Sequence, residues 1–367
     1  MKKRTRSSSA KPYKHIKSPS YKKYLIFTLF VLVLLLLFSG VFGLFNFLEK
    51  NTVKEKDRMC GDGTLYNSCS LTKPYYCLDG KLIDLSYVCG CPDGFVKEGR
   101  DCSSSYETDP RNIRLKYTLN EGTHYLNFKV YKGFEDYISK IPRSISYSPG
   151  VNSSRKDFVL KEINEEEQRK FLMPLVIAIQ NISNDKNDQM RIAVSIVQNI
   201  PFGVSNKTYF FGNTKLDYSR YPYDVLYDNE GICGEKTDLL LFLLREMGYG
   251  VSFFYYEEEN HEAVGIKCPM EESLMGSEYC FVETTGPSII SDSKITYVGV
   301  GKLTSTPQIY SISHGKSLSA NLEEYEDAEK LIRIRNSIER TGLIDPIQKK
   351  TFDELKMKYG LAEEYYG

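Results

Sequence analysis

The 367-residue chain has no tryptophan, only four histidines and no net charge, its 48 Lys and Arg being balanced by 48 Asp and Glu. It shows no internal repeat and no heptad pattern of useful length, which sets aside solenoid and coiled-coil architectures. Its nine cysteines form no pair of Cys-x-x-Cys knuckles, the spacing on which many structural zinc sites are built. No metal or organic cofactor is implied. A general base of the histidine type is confined to His15, His124, His261 or His314.

The zero balance hides an asymmetry. Residues 1–23 hold nine Lys or Arg and no acid, which leaves 39 bases against 48 acids in the rest. Residues 24–48, "YLIFTLFVLVLLLLFSGVFGLFNFL", carry no charge, and about 20 apolar residues suffice to cross a bilayer as a helix. A cleaved signal peptide has a shorter apolar region, so a retained single-pass anchor is expected, although Ser39–Gly43 also admits cleavage. Basic residues ahead of an anchor stay in the cytoplasm. Everything after residue 50 is therefore expected on the extracellular side, and the basic tail needs no nucleic acid to explain it.

Cysteine usage agrees with that side. Cys60, Cys69, Cys77, Cys89, Cys91 and Cys102 crowd into a short stretch rich in Gly, Asp and Pro, the pattern of a disulfide-stapled module at 60–102. Six cysteines admit 15 pairings, so the connectivity stays open. Cys268 and Cys280 bracket a loop and are expected to pair with each other. Sequons at Asn152, Asn181 and Asn206 suit an exposed ectodomain.

Beyond a linker at 103–110, the chain divides into an α+β part at 111–205, a core at 206–312 and a helical segment at 320–367. Alternating stretches at 113–119 and 124–130 predict a hairpin. A helix is expected from Asn164, with Glu167 as its capping-box partner and Pro174 as a kink. Another is expected at 187–199, stopped by Pro201. The run from Glu235 to Met247 reads as a helix buried on most sides and closed by Gly248. Strands are expected at about 250–256, 261–267 and 279–284. The triple Glu257, Glu258 and Glu259 reads as a solvated loop.

One cysteine, Cys233, is left without a partner. It begins the apolar helix and sits between Gly231 and Gly234. At a helix start the dipole favours thiolate, the nucleophilic form. Flanking glycines would admit a substrate backbone, and unpaired N–H groups there can hold an oxyanion. A thiol nucleophile needs a base and the base needs an acceptor. His261, opening one strand, and Glu283, on the next, supply them in chain order. There is a conflict of register: if Cys268 and Cys280 lay directly opposite each other, Glu283 would face Gly265, about 13 Å along the strand from His261. A diagonal disulfide, one set in the loop, or a bulge would resolve it; otherwise one pairing is wrong, the His261–Glu283 pair being preferred.

The blocks "VQNIPF", "YPYDVLYDNEGICGEKTDLLLFLLREMGYG", "NHEAVGIK" and "YCFVETTGP" resemble the transglutaminase-like superfamily, most of all its archaeal membrane-anchored members. The resemblance covers about residues 195–290. It implies a papain-like α+β core, with a cysteine-bearing helix packed on an antiparallel sheet, and acyl transfer through a thioester. It puts nucleophile, base and acid on Cys233, His261 and Glu283. Better-studied members carry tryptophan beside the nucleophile and aspartate as the acid. Here oxyanion stabilisation would fall to backbone N–H groups or to Tyr221 or Tyr223. Hydrolysis of protein or cell-envelope amides is expected before cross-linking. A cell-surface binding or adhesion protein that kept the fold without the activity is the alternative.

Overall fold

The computed structural model describes residues 58–211, 214–294, 296–297 and 301–361. The expected anchor at 24–48 and the tail at 1–23 lie outside the described residues. Among those described, no helix is long and apolar enough to cross a membrane.

Residues 60–102 are short of regular structure. A three-stranded antiparallel sheet is built from Ser68–Cys69, Tyr75–Leu78 and Lys81–Asp84, and a further pair from Val96–Glu98 and Asp101–Ser103. Disulfides join Cys60 to Cys77, Cys69 to Cys89 and Cys91 to Cys102. The few buried apolar groups, Cys60, Cys77 and Leu82, complete their cluster with Ile177 from the main body. Docking is polar too: Asn181 accepts from Leu82 N at 2.8 Å and donates to Leu82 O at 2.9 Å. Of the three sequon asparagines, Asn181 is engaged in this way and half-buried, while Asn152 and Asn206 are exposed.

The hairpin is longer than its alternating pattern suggests, pairing β1 (Pro110–Leu119) with β2 (Gly122–Tyr131). Helix α1 spans Lys132–Ile138. Next comes a helix the sequence reading did not anticipate, α2 (Arg155–Ile163), started by Ser154 in a capping box with Asp157. Because α2 ends at Asn164, the helix expected from there starts later: α3 is Glu166–Ile182, capped by Glu165. It runs through Pro174, which gives up one backbone hydrogen bond on a helix anchored by Phe171, Leu172, Leu175, Val176 and Ile179 in the core. Helix α4 is Lys186–Asn199 and α5 is Pro222–Asp228.

Helix α6, Cys233–Glu246, carries the run Leu239–Leu244, every residue of which is fully buried. Beyond its end Gly248 takes φ 88°, the left-handed geometry that glycine adopts without a Cβ clash. Strands β3 (Val251–Tyr256), β4 (His261–Lys267), β5 (Tyr279–Val282) and β6 (Gln308–Ser313) form one antiparallel sheet in the order β5-β4-β3-β6. Side chains alternate across it. Phe253, Val264, Ile266 and Val282 join α6 in the main core, whereas Phe254, Tyr256, Ala263 and Phe281 form a second cluster on the other face. Helices α7 (Glu323–Thr341) and α8 (Pro346–Tyr359) close the described chain, packed through Leu331 and Leu355. The architecture is α+β, with antiparallel sheets, several helices and four disulfides.

Candidate active site

The site is built where the start of α6 meets the ends of β4 and β5. Entry into α6 is fixed by backbone contacts, since Gly231 N donates to Pro201 O at 3.1 Å and Gly203 N to Gly231 O at 3.2 Å. Glu235 closes the turn by accepting from Ile232 N at 3.0 Å and Arg220 N at 2.8 Å, and it pairs with the Arg220 side chain. Cys233 thus becomes the first helical residue, so its N–H and its successor's lack helical acceptors. The residue is half-buried and lies outside all four disulfides.

The glycines beside it have other duties than the expected admission of a substrate. A methyl group on Gly234 would fall on the Glu262 carboxylate, and one on Gly231 would press on Lys236 and Val225. The space beside Gly234 is filled by a bidentate ion pair in which Arg155 donates to Glu262 at 2.5 and 3.0 Å.

The register conflict resolves through a diagonal cross-link. Cys280 faces Ile266, and Val282 faces Val264. Continuing that register sets Glu283 opposite Ala263, two residues from His261 and on the same face of the sheet. The Cys268–Cys280 disulfide bridges two residues off direct opposition, with 5.8 Å between Cα atoms. His261 Nε2 and Glu283 Oε2 then meet at 2.9 Å, both side chains buried.

Electrostatics follow from that burial. Desolvation alone would depress the pKa of His261, but the Glu283 charge and the hydrogen bonds to Cys233 and Glu283 override it and raise the imidazole to about 10. Burial would raise Glu283. Its carboxyl is nonetheless held below the usual range by His261 and by Thr285. The second oxygen of Glu283 accepts from Thr284 N (2.9 Å), Thr285 N (2.7 Å) and Thr285 Oγ1 (2.7 Å). A carboxylate filled with donors in this way is a fixed acceptor, so the imidazole is held in one orientation.

Further ties, not foreseen from the sequence, join the three elements. Thr284 Oγ1 donates to Cys233 O at 3.3 Å and shares a hydrogen bond with Thr237 Oγ1 at 3.2 Å. Gln198, from α4, donates to Glu283 O at 3.0 Å. Lys236 is fully buried, with its ammonium 2.6 Å from Ile200 O, 3.1 Å from Thr285 O and 3.4 Å from Gln198 O. Behind the helix, burial raises both carboxyls of the adjacent pair Glu162 and Asp238, and Asp238 most strongly.

Tyr221 and Tyr223, the tyrosines considered for an oxyanion, are both fully buried. Tyr223 Oη accepts from Tyr131 N at 2.7 Å, and the Tyr221 ring packs under Arg143. They serve packing. In the acidic loop, Glu259 accepts from the backbone N–H groups of Thr304 and Ser305 and pins that segment. Among the described residues, no cluster of His, Cys, Asp and Glu could hold a metal ion.

No protein-family model matches the chain, and no curated protein matches it. Among solved structures, calcium-bound LapG of Legionella pneumophila aligns at 14% sequence identity, over 48% of this chain and 98% of that one, with a TM-score of 0.25. A superposition that loose carries no argument here. The functional reading therefore stands on the geometry around Cys233.

Proposed function

We propose that the protein is a thiol acyl-transfer enzyme with a transglutaminase-like core, acting as a peptidase or amidase. The observation that carries this is the contact chain from Cys233 through His261 to the 2.9 Å bond with Glu283. Glu283 holds Nε2, which leaves Nδ1 as the ring nitrogen that serves the sulfur. The sulfur attacks the amide carbonyl carbon and a C–S bond forms. As the C–N bond breaks, the imidazolium gives its proton to the departing amine. Neutral His261 then takes a proton from water, whose oxygen attacks the thioester, and the acid leaves as the thiol is restored. Glu283 stabilises the charged ring throughout. The oxyanion would be met by N–H groups at the start of α6.

The same reading makes residues 24–48 a membrane anchor, with the tail at 1–23 in the cytoplasm and the enzyme outside. Its substrates are then surface polypeptides or cell-envelope amides. In support, all eight other cysteines are joined in disulfides, which persist in oxidising compartments.

Iodoacetamide tests the reading directly, because Cys233 is the single free thiol. The detergent-solubilised full chain should label rapidly at Cys233, and His261→Ala should slow that labelling by about a hundredfold, the lower range of what a positioned base contributes. Equal, slow labelling of the two would sink the enzyme reading in favour of a surface binding protein.

A further inference from the structure

Lysine is almost never fully buried unless paired, yet Lys236 has no exposed surface. No carboxylate lies within ion-pair distance of it among the described residues; its three contacts are backbone carbonyls. Withdrawing an ammonium from water on those terms costs stability. A neutral donor would satisfy the carbonyls at lower cost, so the charge itself needs a reason.

Its position gives one. Lys236 follows Cys233 by three residues on α6, one turn away on the same side of the helix. Two of its carbonyls, Gln198 O and Ile200 O, belong to the C-terminal end of α4, the negative end of that helix. The third is Thr285 O, and Thr285 is the residue whose N–H and hydroxyl both hold Glu283. Gly231 leaves room for the lysine stem. The charges that act on the ammonium are Glu283, from the end of β5, and Cys233, on its own helix; His261, from β4, carries the other positive charge of the site, and α4 presents carbonyls alone.

Resting on the reading of Cys233, His261 and Glu283 as a thiol catalyst, we propose that Lys236 is its positioning residue. Its ammonium balances the site's charge and, through Thr285, aims the Glu283 carboxylate. A nucleophilic thiolate at Cys233 would bring the site to two charges of each sign, beside the Glu283 carboxylate, the imidazolium and the ammonium. Without Lys236 an ionised site carries one uncompensated negative charge, which disfavours the thiolate. Burial lowers the pKa of Lys236 to about 8 against the pull of Glu283 and Cys233, so the ammonium is the main form at neutral pH.

The test follows the labelling rate of Cys233 against pH in the full chain, for wild type, His261→Ala, Lys236→Met and Lys236→Gln. Methionine keeps the bulk of the side chain, and glutamine keeps a donor without charge. Both lysine variants should keep the wild-type circular dichroism; glutamine should melt no lower than wild type, whereas methionine, which leaves the three carbonyls without their lysine donor, should melt lower. Both should label about tenfold more slowly at pH 7, the scale set by losing one close opposite charge. The gap should close towards pH 10, where the wild-type lysine is itself neutral. Fast labelling of either lysine variant, with His261→Ala still slow, would overturn the role of Lys236 and leave the catalyst standing. Slow labelling of wild type and His261→Ala alike would instead remove the reading beneath it. If neither lysine variant folds, Lys236 is a structural residue and the proposal falls.

Discussion

The cysteine-rich region and the helix-on-sheet core achieve order by different means. Residues 60–102 carry three disulfides and bury few apolar side chains, borrowing Ile177 to complete a cluster. The core buries Leu239 to Leu244 in unbroken succession, and its one disulfide lies where β4 and β5 lead into their loop. A segment too small to exclude water leans on cross-links, whereas a large one can set aside interior space for charged groups such as Lys236, Glu283 and His261. The teaching of the contrast is that the one free thiol belongs to the region that needs covalent ties least.

The contrast breaks most severely if the core is emptied. Leu240→Ala removes a fully buried side chain and should cost about 2–5 kcal/mol of unfolding free energy, read from urea denaturation with Cys233 labelling as a second probe. A smaller loss, of about 3 kcal/mol, is expected when Cys60 and Cys77 are both replaced by alanine. It should be confined to the cysteine-rich region, so hydrogen exchange should quicken there while Cys233 labels at the wild-type rate. Collapse of labelling in that variant would show the two regions to be one cooperative unit.

The smallest effect comes from pH. The folded-state pKa of His261, about 10, stands above its ordinary 6.5, so the stability it contributes is full below pH 6.5 and drains away as pH rises towards 10. Across pH 6.5–8 the loss should reach about 2 kcal/mol at 1.4 kcal/mol per unit. Lys236 acts in the opposite sense, because its pKa is lowered from 10.5 to about 8; the native state gives up that proton first and gains stability from pH 8 upward. Melting temperature should therefore fall and then flatten. In Lys236→Met the flattening should vanish, and a curve identical to wild type would contradict the assignment.

Much of the site could be read in the sequence, for a physical reason. An odd cysteine, a long apolar helix and two short strands are local patterns, and Cys233, α6, β4 and β5 are each specified by neighbours in the chain. Pairings that depend on tertiary contact were not legible. Three disulfides chosen from 15 arrangements fall in this class, as does α2, whose Ser154 start precedes no strong apolar stripe. Lys236 carries no local sign of what surrounds it, and only the approach of α4 and the Thr285 turn makes it interior. The glycines were legible as glycines, but their neighbours Glu262 and Lys236 were not. The sequence did expose the clash between the two cysteines and the His261–Glu283 pair, and it left a diagonal bridge among the solutions.

That diagonal bridge has a consequence for how the protein matures. In a two-residue repeat, a slip of a single position between β4 and β5 would turn Glu283 towards α6 and away from the imidazole. The same slip would turn Cys280 to the face opposite Cys268, so the bridge observed between them is incompatible with a one-position error, and oxidation acts as an inspection step against it. A chain held under reducing conditions would lack that check, and the same molecule would then be assembled without proof that its working parts face each other.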